Sequence, residues 1–103
     1  MTTLPTGWKK NEQALLLAIK CEDFTHAVAL FNYIADIANK HNHHPDICLK
    51  KYNEIIVTTS THSEDKVTEK DYALAKDITD LLEYQANKQD IEVNGRNINE
   101  RTK

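Results

Sequence analysis

The 103-residue chain is poor in the residues that interrupt secondary structure, with two glycines and two prolines. Pro5 and Gly7 lie near the start, Gly95 lies in a polar C-terminal stretch, and only Pro45 falls in the middle. This scarcity excludes a collagen-like or low-complexity chain and leaves room for long regular elements. The length is that of one domain, with enough buried surface for a single modest core.

Cysteines, long apolar runs and excess positive charge are also scarce. Cys21 and Cys48 lie far apart and form no CxxC pair, which indicates reduced thiols rather than a disulfide framework. No apolar run approaches the ~18 residues of a membrane span, and the start MTTLPTGWKK has no signal-peptide core. The net charge is −3, so no basic face for nucleic acid is expected. We therefore expect a cytoplasmic protein that binds neither membranes nor nucleic acid directly.

Hydrophobic periodicity predicts two strands and a helix in the first half of the chain. Residues 14–21, ALLLAIKC, form a short apolar run that is typical of a buried strand, and GWKKN before it is a candidate partner strand. From Phe24 to Ala38 the apolar residues recur at steps of three and four, which predicts an amphipathic helix. The helix is expected to end before Pro45, because a residue that precedes proline is disfavoured in helical conformation.

The second half of the chain repeats the same order of elements. Residues 46–52 can form a strand, and residues 54–62, EIIVTTSTH, are the clearest strand because they are rich in β-branched side chains. Strand alternation places Ser60 and His62 on one face and Thr61 on the other. The sequence TEKD after this strand fits a capping box that opens a second amphipathic helix.

This order of elements predicts an α+β fold: an antiparallel four-stranded sheet with two helices packed on one face, in the order β-β-α-β-β-α. We take residues 1–89 as a single domain. Residues 90–103 are polar, lack periodicity and have few large apolar side chains, so we expect them to form a mobile C-terminal tail.

Three of the five histidines lie in residues 41–46, HNHHPD, and this cluster has three interpretations. A histidine at a helix C-terminus can be structural, because it interacts favourably with the last carbonyls and the dipole, and His41 fits that role. A metal site is disfavoured, because the spacing matches no ligand pattern. The third is acid–base catalysis with His62 facing the cluster, since histidine can give or take protons near neutral pH. The residues alone leave the structural and catalytic interpretations open.

Three stretches together resemble the pterin-4a-carbinolamine dehydratases: NHHPD, KKYNEIIVTTSTH and TEKDYALAKDI. The resemblance runs from about residue 7 to about residue 85 and includes a tyrosine eight residues after the second histidine of H-H-P. It implies a hydro-lyase that dehydrates 4a-hydroxytetrahydropterin to quinonoid dihydropterin in tetrahydrobiopterin recycling. It also implies no bound cofactor, no metal, and assembly into homodimers or homotetramers.

The resemblance places the family's histidine pair at His43 and His44, its strand-end histidine at His62 and its helix-start aspartate at Asp71. We expect His44 and His62 to transfer protons and His43 to bind or orient the pterin, although the three roles could be permuted. Asp71 could hold an imidazole in one tautomer, or it could serve only the capping box. The remaining residues predicted to bind or orient the substrate are Pro45, Ser60 and Thr61.

The resemblance is incomplete at one position beside the cluster and leaves other functions open. Asn39 stands where the family often has an acidic residue, four positions before His43. One alternative is a non-catalytic dimerisation partner of a transcription factor, and another is a pterin-binding role in the molybdenum-cofactor pathway. The three histidines favour the enzyme, whereas the partner role would need an exposed apolar face on the predicted 24–38 helix.

Overall fold

Two helices cover one face of an antiparallel sheet in the computed structural model, which describes residues 3–98. Helix α1 spans Phe24–His41 and helix α2 spans Glu69–Gln85. The strands are β1 Lys9–Lys10, β2 Leu15–Lys20, β3 Asp46–Lys50, β4 Glu54–Thr59, β5 Glu92–Val93 and β6 Arg96–Asn97. The predicted α+β class and element order are confirmed, with the strand count corrected from four to six.

Strand β2 lies at the centre of the sheet, whose order is β3-β4-β2-β5-β6. All of its neighbours are antiparallel: β4 runs along one edge, and β1 and β5 share the other. The register places Leu17 opposite Val57 and Ile19 opposite Ile55, and all four side chains are buried. Because side chains alternate along a strand, this register aligns the buried residues on the helix-covered face.

The helices bury the apolar stripes that their sequence periodicity predicts. The buried side chains of the two helices recur at steps of three and four, as in Ala27, Leu30, Ile34 and Ala38 of α1 and Leu74, Ala75, Ile78 and Leu82 of α2. Trp8 is also buried, and its indole N–H donates to Thr79 Oγ1 at 2.9 Å, which ties the N-terminal segment to α2. Neither helix in the described part of the chain is long and apolar enough to span a membrane.

Residues 90–98 do not form the unpacked tail that their polar sequence predicts. Strands β5 and β6 make a hairpin, and β5 extends the sheet by pairing with Ile19 and Lys20. The hairpin segment buries three large apolar side chains: Ile91, Val93 and Ile98. The expectation that these groups are too few to pack is therefore wrong for residues 90–98, while residues 99–103 lie outside the described part of the chain.

The N-terminal turn explains part of this packing. Gly7 has a φ of +93°, and a Cβ at this position would lie 2.8 Å from Val93 Cγ1. That distance is too short for a carbon contact, so only a residue without a side chain allows the turn to approach the hairpin this closely. The two ends of the described chain are therefore packed against each other.

Candidate active site

The histidine cluster lies where α1 ends and the chain turns towards β3. Asn42 ends the helix in the left-handed conformation, with φ 50° and ψ 40°, a region that asparagine tolerates better than most residues. In the last turn of the helix, His41 Nε2 lies 2.6 Å from Asp77 Oδ2 of α2. His43 and His44 follow in the short segment before β3, so the end of α1 separates His41 from the other two histidines.

Asp71 in the first turn of α2 is completely buried, with 0% of its surface exposed, and four groups donate hydrogen bonds to it. His43 Nε2 and Thr59 Oγ1 each lie 2.6 Å from its Oδ1. Thr61 Oγ1 lies 2.8 Å and the backbone N–H of Thr68 lies 2.9 Å from its Oδ2. Because an ionised carboxylate only accepts, Nε2 of His43 carries the hydrogen, and Nδ1 of the neutral ring has a free lone pair.

The hydrogen bonds decide the charge of Asp71. Burial acts to raise the pKa of the Asp71 carboxyl, because the charged form loses its hydration. The hydrogen bonds from Thr59, His43, the Thr68 N–H and Thr61 act in the opposite direction and hold the pKa below its ordinary value. The positive end of the α2 dipole also favours the carboxylate. Asp71 is therefore a fixed negative charge beside His43 at neutral pH.

The same carboxylate closes the capping box that the sequence TEKD predicts. Thr68 is the N-cap of α2, and both reciprocal bonds of the box are present: the Thr68 side chain accepts from the first turn, and Asp71 accepts from the Thr68 N–H. The prediction of the capping box is confirmed. Asp71 thus has a structural contact and a histidine contact at once, because its two oxygens face different partners.

His44 and His62 are both exposed to solvent. His44 Nε2 lies 3.0 Å from Asn39 Oδ1, so its partner is the neutral amide of Asn39. Strand β4 ends at Thr59, and His62 lies beyond it in a turn that the Thr61–Lys66 bridge closes. The sequence placed His62 at the end of the strand, whereas the structure places it in this turn.

Asp71 brings part of the predicted site together. His43 and Thr61 contact it directly, and His44 and His62 each follow one of these residues in the chain. We call Asp71 and the residues that donate to it, His43, Thr59, Thr61 and Thr68, the Asp71 cluster. Since consecutive Cα atoms are ~3.8 Å apart, the backbones of His44 and His62 lie next to this cluster. The other two predicted residues, Pro45 and Ser60, are half-buried and adjoin His44 and Thr61 in the chain.

Thr59 contacts Asp71 but was not among the site residues predicted from the sequence. It is 1% exposed and shares the helix-covered face of β4 with Ile55 and Val57. A usable signal was present, because a hydroxyl on the buried face of a strand needs a hydrogen-bond partner. The alternation of buried and exposed side chains in β4 therefore predicts that Thr59 has a buried polar partner, but it does not identify that partner as Asp71.

Other surface features share no residue with the group of side chains around Asp71. Two grooves of about 250 and 560 Å³ lie along α2 and the N-terminal segment, and no histidine lines either of them. Among residues 3–98, the group close enough to hold a metal ion is Glu22, Asp23 and His26 at the start of α1. None of its members belongs to the HNHHPD segment, so the candidate site is the Asp71 cluster with its exposed histidines.

Comparison with known proteins points to one family. The family model described as Pterin 4 alpha carbinolamine dehydratase matches residues 1–81. A protein of Sulfolobus acidocaldarius is 40% identical over 75 residues, which cover 73% of this chain and 81% of the relative. A protein of Sulfurisphaera tokodaii is 38% identical over 76 residues, which cover 74% and 81%. Both relatives carry the name "Putative pterin-4-alpha-carbinolamine dehydratase".

Two solved structures are similar to the chain. The transcriptional coactivator/pterin dehydratase from Brucella melitensis is 35% identical, with a TM-score of 0.67 over 73% of this chain and 81% of its own. A pterin dehydratase-like protein identified as a RuBisCO assembly factor in the α-carboxysome is 15% identical, with a TM-score of 0.58 over 72% and 84%. At that identity the second likeness concerns the fold alone.

Proposed function

Because the chain belongs to the pterin 4 alpha carbinolamine dehydratase family, we propose that it dehydrates 4a-hydroxytetrahydropterin to quinonoid dihydropterin by histidine acid–base catalysis. The observation that carries this proposal is the 2.6 Å contact between His43 Nε2 and the buried Asp71 carboxylate. A histidine with one nitrogen bonded to a buried carboxylate is oriented for proton transfer at the other.

The proposed reaction needs two proton transfers. One group delivers a proton to the 4a-hydroxyl, so that the carbon–oxygen bond breaks and water leaves. Another group takes the proton from the neighbouring ring nitrogen, whose bonding electrons then form the carbon–nitrogen double bond. One carbinolamine gives one dihydropterin and one water, and the two catalytic groups recover their starting states by exchanging protons with solvent.

We assign the base role to His43. Its Nε2–H is held by Asp71, so the Nδ1 lone pair is available to take a proton, and the adjacent carboxylate stabilises the imidazolium that results. The sequence analysis expected His43 to bind or orient the pterin and left the three roles open to permutation, and this proposal is one such permutation. The exposed His44 and His62 become the candidates for protonating the hydroxyl and for binding the pterin ring.

The proposed physiological setting is the recycling of a tetrahydropterin cofactor in the cytoplasm. Both cysteines are free thiols, as is usual for proteins in a reducing compartment. The chemistry proposed for the histidines requires no bound cofactor and no metal, because every step is a proton transfer or the departure of water.

A second candidate function is binding to another polypeptide, and one surface favours it. Phe24 is 54% and Val28 is 39% exposed on α1, and the partly buried Phe31 lies on the same face; we call these three residues the α1 stripe. An exposed apolar stripe is typical of a protein–protein contact. We propose that it mediates self-association into a homodimer or homotetramer, or contact with a partner such as a transcription factor.

The proposed activity is tested by following the dehydration of synthetic 4a-hydroxytetrahydropterin above its spontaneous rate. We expect His43→Ala to lower kcat by about 10²–10⁴-fold, as for loss of a well-placed general base. We expect His44→Ala and His62→Ala to lower kcat/KM, with a rise in KM for whichever residue only binds the pterin.

His41→Ala is the matched control for these variants. It removes a histidine of the same segment whose contact is with Asp77, so we expect lower stability and little change in activity. We expect a chelator to leave the rate unchanged. Wild-type turnover no faster than the spontaneous reaction would refute the enzyme, and full activity in all three site variants would refute the histidine mechanism.

A further inference from the structure

We propose that Thr59 is a positioning residue: its hydroxyl holds the Asp71 oxygen that accepts from His43, and so keeps Nδ1 of His43 directed at the substrate. The inference rests on the proposed function and deepens it, because it states how the base is aimed. Neither the capping box nor the family resemblance assigns a role to position 59.

The two oxygens of Asp71 are held in different ways. Oδ2 accepts from Thr61 and from the Thr68 N–H, which both belong to the connection between β4 and α2. Oδ1 accepts from Thr59 and from His43, both at 2.6 Å. The Thr59 hydroxyl is thus the contact that places Oδ1 relative to the histidine, whereas Thr61, which also contacts Thr68 Oγ1 at 2.6 Å, serves the start of the helix.

Thr59 is well suited to fix an atom in space. It lies in β4, is 1% exposed and pairs with the buried Leu15 of β2, so its backbone is held by the middle of the sheet. A β-branched side chain has few χ1 rotamers, so the direction of its hydroxyl is restricted. Its acceptor comes from α2, and the contact therefore fixes the carboxylate relative to the sheet.

The identity of the residue supports the same inference. The neighbouring buried positions of β4 hold Ile55 and Val57, and an apolar β-branched residue would suit position 59 equally well for packing. A hydroxyl in such a place is unfavourable unless it is hydrogen-bonded, and the Asp71 carboxylate is its partner. The hydroxyl is therefore used for the contact with Asp71 and not for packing.

The decisive variant is Thr59→Val, which keeps the shape and the β-branch but removes the donor. We expect kcat to fall by about 10- to 100-fold with little change in KM, because the base is misdirected while the pterin-binding groups stay in place. Thr59→Ser restores a hydroxyl and is expected to recover most of kcat. The matched control is Thr58→Val, the same change on the opposite face of the same strand, which should leave kcat unchanged.

A second readout does not depend on activity. We expect the Nε2–H proton of His43 to give a downfield, slowly exchanging ¹⁵N-coupled NMR signal in the wild type and in Thr59→Ser, because its nitrogen lies 2.6 Å from a buried carboxylate. In Thr59→Val this signal should move or disappear. If Thr59→Val does not fold, Thr59→Ala is the second variant that removes the hydroxyl, and the His43 signal should likewise move or disappear in it.

The two proposals can fail separately. If the wild type does not turn over the substrate faster than the spontaneous reaction, the proposed function is wrong. The NMR comparison then tests only whether the Thr59 hydroxyl positions the Asp71 carboxylate. A wild type that is active while Thr59→Val keeps both kcat and the His43 signal overturns the role of Thr59. Failure of Thr59→Ser to recover kcat would also overturn it, because the hydroxyl would then not be the feature that matters.

Discussion

Asp71 is the residue on which both stability and the proposed chemistry depend. A carboxylate with no exposed surface is strongly destabilising unless hydrogen bonds replace its hydration. Four donors do so here: one lies in β4, two lie in the connection between β4 and α2, and one lies in the segment that follows α1. A substitution at this residue therefore affects several elements at once.

The first prediction concerns Asp71→Asn and its dependence on pH. The pKa of Asp71 is lowered in the folded protein, so its contribution to stability is present above the ordinary carboxyl range and is lost as the pH falls through the lowered pKa. We expect the variant to lose about 2–3 kcal/mol of unfolding free energy at pH 7. The difference in unfolding free energy between the wild type and Asp71→Asn should become smaller below about pH 4.

Urea unfolding at pH 7 and near pH 3 measures this difference. Asp36→Asn, at an exposed position of α1, is the control and should change stability by less than about 0.5 kcal/mol. An equal gap between wild type and Asp71→Asn at both pH values would contradict the account of the Asp71 pKa.

The second prediction distinguishes the two thiols. Burial, with a smaller effect from the charge of Asp23, raises the pKa of Cys21 to about 11, while Cys48 on β3 is exposed. Because the thiolate is the reactive form, we expect Cys48 alone to react rapidly with a thiol reagent at pH 8. Cys48→Ser should abolish the fast reaction and Cys21→Ser should preserve it. Rapid labelling of Cys21 in the native protein would show that its site opens readily.

At the scale of elements, the C-terminal hairpin is part of the folded unit. Strand β5 lies beside β1 on the same edge of β2, and the side chain of Val93 contacts the turn at Gly7. Burial of a large apolar side chain stabilises by about 1.5–3 kcal/mol, and the hairpin segment buries three of them. The entropy of ordering the segment offsets part of this gain.

The third prediction is that truncation after Asn87 lowers the melting temperature by about 5–15 °C, because each 1 kcal/mol lost shifts the Tm of a domain of this size by several degrees. Calorimetry or circular dichroism measures the shift. Truncation after Ile98 is the matched control, since it removes only residues 99–103 and leaves the hairpin intact. An unchanged Tm after the longer truncation would show that the hairpin does not stabilise the domain.

At the scale of the whole molecule, the fold leaves two surfaces available for association. Strand β3 pairs only with β4 in the described sheet and presents a free edge, and the α1 stripe exposes Phe24 and Val28. An unpaired edge and an exposed apolar stripe are both prone to association, and a small domain gains stability by burying them.

The fourth prediction is that the protein self-associates through the α1 stripe. We expect light scattering at micromolar concentration to give a mass that is a multiple of the 11.8 kDa chain. The double variant Phe24→Glu/Val28→Glu should shift the mass towards the monomer, because charges on the stripe would have to be buried. Tyr84→Glu, at another exposed aromatic side chain, is the control and should not change the mass. A wild-type monomer would refute self-association.

The sequence by itself determined the two helices, the first four strands and the order in which they follow one another. In α1 and α2 the apolar residues recur at steps of three and four, which indicates the buried face of each helix. In β2 and β4 an apolar or β-branched run indicates a buried strand. The capping box is likewise written in four adjacent residues. These signals are local, so they can be read without knowing the fold. Combined with the family resemblance, they also selected Asp71 and the three site histidines as candidates.

Only the tertiary structure decided which histidine meets the carboxylate and which residue directs it. His43 and Asp71 are 28 residues apart, and Thr59 lies 12 residues before Asp71, so no local period records either contact. The hairpin was missed for the same reason: Val93 pairs with Ile19, and neither segment alone shows the partner that buries it. Whether a segment with few apolar residues becomes buried depends on which elements pack against it. Those contacts form only when parts of the chain that are distant in sequence come together in the fold.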